Sequence, residues 1–61
     1  MMKLYVEWTN GNSTTFPEVT TIKETENEVK VAFGPRKHEA IIIKRNANFI
    51  EAVKEEIEEE N

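Results

Sequence analysis

The chain has no cysteine and no aspartate. Without cysteine there is no disulfide scaffold, no thiol nucleophile and no zinc-thiolate centre. Without aspartate the acidic side is carried entirely by 12 glutamates, which excludes EF-hand loops and most catalytic motifs that require an Asp. Histidine and serine occur once each, as His38 and Ser13. Long apolar runs are missing too. The longest, Ala40-Ile41-Ile42-Ile43, is far below the roughly 20 residues that a membrane-spanning helix needs.

What is present fits a small globular protein. The chain has 61 residues, 38% apolar and 33% charged, enough hydrophobicity to fold and room for one domain, residues 1–61. A domain of this size buries only about 60% of the surface its unfolded chain exposes, so a single small core must hold it. Such a core spares little space for a ligand pocket of several hundred Å³. The expectation is a protein that is not an enzyme and uses no cofactor or small-molecule substrate. Met1-Met2-Lys3-Leu4 opens directly into an alternating pattern, unlike a signal peptide, which points to the cytoplasm. Asn12-Ser13-Thr14 matches a glycosylation acceptor, a three-residue pattern that carries little weight without a secretory signal.

The net charge of −4 is unevenly placed. Residues 1–48 carry seven Lys/Arg against six Glu, whereas residues 49–61 carry one Lys against six Glu. An acidic chain is poorly suited to neutralising phosphates, so nucleic acid is not the expected partner.

Along the chain, residues 2–9 alternate, with Met2, Leu4, Val6 and Trp8 on one face and Lys3, Tyr5 and Glu7 on the other, as in a half-buried strand. Asn10-Gly11-Asn12 is a turn signal. A two-residue loop would set Phe16 opposite Tyr5 on the polar face. A three-residue loop sets it opposite Val6, with Asn12 left-handed, and burial favours that arrangement. Residues 13–16 form a short strand that Pro17 ends, since proline offers no ladder donor. Residues 19–25, rich in β-branched side chains, read as the next strand. A two-residue turn at Glu26-Asn27 leads into residues 28–33 and pairs Ile22 with Val31. After Gly34-Pro35-Arg36-Lys37, residues 38–44 form a further strand.

The period then changes. Phe49, Ile50, Val53 and Ile57 recur at spacings of three and four, which predicts a helix over about 47–59, with Asn48 and Glu51 as a capping pair or Asn46 as the alternative start. The expected fold class is therefore α+β. It is an antiparallel meander of four to five short strands, able to curl toward a small barrel, with one C-terminal helix on one face. That helix would cover Leu4, Val6, Trp8, Phe16, Ile22, Val29, Val31 and Phe33.

Ile41, Ile42 and Ile43 are apolar on both faces of their strand. If Ile42 joins the core, Ile41 and Ile43 face outward and call for a cover, such as a second copy of the chain. Glu51, Glu55 and Glu58 would form an acidic stripe along the helix. Such a stripe can imitate nucleic-acid phosphates, as small acidic phage proteins do, or simply keep the protein soluble. Arg36, Lys37 and His38 at a hairpin tip form a weak candidate anion contact. His38 and Glu39 point to opposite faces, so they make no dyad, and one histidine is too little for a metal site. Ser13 sits beside a turn with no base in reach. Tyr5, on the outer face, is a candidate for stacking a base. The run of a strand, an Asn-Gly turn and further short strands resembles small proteins of bacteria and their phages, a likeness that transfers no site residue. The function expected on these grounds is a non-catalytic interaction module whose partner is another protein or a second copy of itself. The alternative is an acidic inhibitor, or nucleic-acid mimic, of an enzyme that binds nucleic acid.

Overall fold

A computed structural model describes residues 2–54. Five strands follow one another: β1 (Met2–Trp8), β2 (Ser13–Glu24), β3 (Glu28–Phe33), β4 (His38–Ile43) and β5 (Ala47–Lys54), with a 3-10 turn at Lys44–Asn46 between the last two. They form one antiparallel sheet in the order β4-β3-β2-β1-β5. Among the described residues the 3-10 turn is the only helical element.

The expected helix over 47–59 is not formed, and the α+β assignment is replaced by an all-β antiparallel sheet. Residues 47–54 are β5, and the rest of the expected helix lies outside the described residues. β1 explains the outcome. Its strand edges carry rows of backbone N–H and C=O groups that must find partners when buried. β2 satisfies one edge, and β5 satisfies the other, with Leu4 opposite Ala52 and Val6 opposite Ile50. A helix of about three turns, marginal alone and with glutamates at its unfavourable end, had no comparable gain to offer.

The first hairpin has a three-residue loop, but not the expected one. Trp8 N–H donates to Asn12 O at 2.8 Å and Gly11 N–H donates to Trp8 O at 3.0 Å, so the loop is Thr9-Asn10-Gly11. Gly11 takes the left-handed position at φ +94°, where it needs no Cβ to be accommodated. Asn12 N–H instead accepts the local alternative of donating to the Asn10 side-chain oxygen at 2.9 Å. Phe16 therefore lies opposite Leu4 rather than Val6. A shift of two residues keeps it on the apolar face, as the period of two demands.

Pro17 does not end a strand. β2 runs unbroken for 12 residues. Its irregularity is at Pro17-Glu18, where Glu18 has φ +52° and the register with β1 shifts between Met2 and Leu4. The kink lets β2 pair with β1 through its first half and with β3 through its second. The two-residue turn at Glu26-Asn27 sets Ile22 opposite Val31, and Thr25 N–H donates to Glu28 O at 2.8 Å.

Leu4, Val6, Val19, Val29, Val31 and Ile42 form the buried core, with Met2, Trp8, Phe16, Ile22, Phe33, Ala47 and Ile50 packed against it. Inner-face residues from all five strands meet in that one cluster. β4 and β1 are three strands apart, about 14 Å at normal strand spacing, so the sheet must curl for Ile42 and Leu4 to share a core. Phe16 and Phe33 meet edge to face at 5.0 Å, and Trp8 Nε1 donates to Thr14 Oγ1 at 2.8 Å, which satisfies the indole as it enters the core.

Candidate functional site

Two apolar patches lie on the outer face, one at each end of the sheet. The first belongs to β4. Ile42 is fully buried, while Ile41 and Ile43 are 55% and 40% exposed. The β3–β4 ladder sets Ile41 opposite Lys30 and Ile43 opposite Glu28. Lys44 N–H donates to Asn27 O at 2.9 Å. Antiparallel pairs alternate between bonded and non-bonded, so His38, Ala40 and Ile42 turn their backbone groups toward β3. The N–H and C=O groups of Glu39, Ile41 and Ile43 then face the open edge. Ile41 and Ile43, which expose apolar side chains, thus also present backbone groups that no described strand pairs.

The second patch is on β5. Phe49 and Val53 are 48% and 40% exposed. They were expected to face the core from a helix; on a strand they turn outward, while Ile50 packs inward. Phe49 meets Tyr5 edge to face at 6.3 Å. Tyr5 is partly buried and packs beside Phe49 rather than standing alone on the outer face.

The acidic stripe is not assembled as expected. Glu51 is exposed on β5, opposite Tyr5 across the ladder, while Glu55 and Glu58 lie outside the described residues. Helical spacing no longer aligns Glu51 with anything, because residues 47–54 are extended.

Arg36, Lys37 and His38 are all exposed at the β3–β4 hairpin. Its four-residue loop closes with Lys37 N–H donating to Gly34 O at 3.1 Å, and Lys37 takes φ +56°. The His38 ring lies 5.9 Å from that of Phe33. Lys44, at the far end of β4, is engaged by Glu24 at 2.5 Å and joins no cluster with the hairpin cations. Ser13 begins β2, opposite Glu7, and His38 begins β4, opposite Phe33, so the ladders do not bring them together. Among the described residues no group of three or more His, Cys, Asp or Glu could hold a metal ion.

An open groove of about 450 Å³ is lined by Leu4, Ile22, Val29 and Ile50 and by the Glu24–Lys44 pair. Its size falls within the ordinary range of ligand sites, so a shortage of space does not distinguish this protein from an enzyme. Its lining mixes apolar side chains with Asn48 and with two charges that pair with each other, and no described buried side-chain polar atom is left without a partner.

No family model, no curated protein and no solved structure matches the chain. Among the described residues, no helix is long and apolar enough to cross a membrane.

Proposed function

We propose that this protein is a non-catalytic interaction module that associates with itself through its sheet surface and works in the cytoplasm. The observation that carries the reading is β4, a terminal strand of the described sheet that is apolar on both faces and has one edge unpaired among the described residues. Native sheets usually blunt such an edge with lysine, proline or a bulge. Along its length β4 has only His38 and Glu39 as polar residues, and its ladder with β3 runs without a register shift. Each of the other three ladders has one. The edge strand with an unshifted ladder therefore also exposes two large apolar side chains. The separation of Ser13 from His38 supports the non-catalytic part of the reading, since a nucleophile needs a base within hydrogen-bond reach.

The test is the oligomeric state. Sedimentation velocity across low to high micromolar concentration should show a monomer giving way to a dimer in the wild type. The double variant Ile41→Lys, Ile43→Lys should stay monomeric with an unchanged circular dichroism spectrum, because both side chains point to solvent. A wild type that remains strictly monomeric over the whole range would refute the proposal.

A further inference from the structure

We propose that two copies of this chain join β4 to β4 about a two-fold axis through Ile42, making one continuous antiparallel sheet across both copies. The inference rests on the self-association reading and adds the partner's register to it.

Two-fold pairing of a strand with its own copy must keep like faces together, so the axis passes through a residue and not between two. Only residues whose backbone groups face the edge can bond across it, and on β4 these are Glu39, Ile41 and Ile43 (by the alternation set by the Lys44–Asn27 bond). Three registers satisfy both conditions with isoleucine meeting isoleucine. With the axis at Ile43, only the two Ile43 residues meet, at the very end of the strand, and each Ile41 lies opposite an Arg45 in the 3-10 turn. With the axis at Ile41, the two Ile41 residues face each other, and each Glu39 lies opposite an Ile43, carboxylate against apolar side chain. With the axis at Ile42, each Ile41 lies opposite an Ile43 of the other copy. All four exposed isoleucines then form one patch on the outer face, and each pair exchanges both N–H···O=C bonds. Glu39 then reaches the end of the opposite strand, where Arg45 begins to turn away in the 3-10 turn. The Ile42 register covers the apolar surface and matches opposite charges, so the geometry selects it. Its closed two-fold symmetry also stops growth at the dimer, which a head-to-tail join of β4 to β5 would not. A single strand pair makes a small interface, of the size class of weak, transient complexes.

The native chain has no cysteine, so site-specific crosslinking has no background. Opposed residues in a bonded antiparallel pair have Cα atoms about 5.5 Å apart, within disulfide reach. Ile41→Cys and Ile43→Cys should be prepared separately and oxidised alone and as an equimolar mixture. The Ile42 axis predicts that the mixed disulfide forms at least about tenfold faster than either homodimeric one, given how steeply disulfide strain grows with misplacement. Faster crosslinking of Ile41→Cys alone, or of Ile43→Cys alone, would establish an axis at that residue and overturn the proposal. Dimers that sediment normally but crosslink in no combination would place the interface elsewhere and also overturn it. A monomeric wild type removes both this inference and the reading beneath it, so the two failures are distinct. A charge exchange gives an independent check that introduces no cysteine. Glu39→Arg and Arg45→Glu should each raise the dimer dissociation constant about two- to fivefold, the usual worth of an exposed ion pair, and the double variant should restore it. Failure of the double variant to restore affinity would count against the register.

Discussion

At the residue scale, the loop glycine and a like-charged pair carry the sharpest predictions. Gly11 sits at φ +94° with nothing within 4 Å of where a Cβ would stand. Substitution there meets backbone strain and no steric clash. Gly11→Ala should cost about 1–2 kcal/mol, the penalty of a left-handed L-residue, and Gly11→Asn less. Urea denaturation monitored by Trp8 fluorescence reads both. Lys23 and Lys30 lie directly opposite each other on the outer face, where like charges repel. Lys23→Glu should stabilise the fold by about 0.2–1 kcal/mol in low salt, and the gain should shrink in 1 M salt, as screening of about 3 Å length removes it. Both residues are exposed, so a gain that survives high salt would mean that something other than charge is responsible.

At the scale of elements, the hairpins were legible in the sequence and β5 was not. Glu26-Asn27 between two β-branched runs fixes the β2–β3 register down to Ile22 opposite Val31, because turn length and burial agree there. At the first hairpin the same reasoning finds the right face for Phe16 but the wrong partner. It assigns the left-handed position to Asn12 while a glycine stands one residue earlier, and glycine wins on conformational cost. The segment 47–54 deceives for a different reason. Phe49 and Val53 are four apart, which places them on one face of a helix and equally on one face of a strand. The need that decides between the two belongs to β1, forty residues away, and leaves no mark on the local pattern. The exposed Ile41 and Ile43, by contrast, could be anticipated, since three consecutive isoleucines cannot all enter one side of a strand. Strand and helix agree on Ile50 and differ on Val53. As a strand it turns Ile50 inward and Val53 outward, so Ile50→Ala should cost about 2 kcal/mol, the low end for a core truncation. Val53→Ala should stay within about 0.5 kcal/mol. Thermal denaturation of the two variants makes the comparison directly.

At the scale of the whole molecule, the charge is unevenly placed along the chain. The described residues 2–54 carry eight Lys/Arg and seven Glu, so the sheet is close to neutral, and five of the 12 glutamates follow it. Each copy carries a net −4, so association should strengthen as salt screens the repulsion between copies. If the dimer forms, the melting temperature must rise with protein concentration, since association favours the folded state by mass action. A differential scanning measurement over a hundredfold range of concentration should show that rise for the wild type and a flat line for the Ile41→Lys, Ile43→Lys variant.

The ladder between β1 and β5 joins Met2 to Lys54 and Trp8 to Ala47. Everything between must be threaded before that seam closes, so the protein should fold in milliseconds to seconds, slow for its size, like other small domains built on distant pairings. Trp8, the sole tryptophan, stands at the seam and reports its closure in a stopped-flow trace. Until that moment the free flank of β1 will accept residues 47–54 from any chain that offers them. Refolding at high concentration should therefore yield intertwined molecules that have traded their last strands, species set by the order of events and separable from the edge-to-edge dimer because dilution does not undo them.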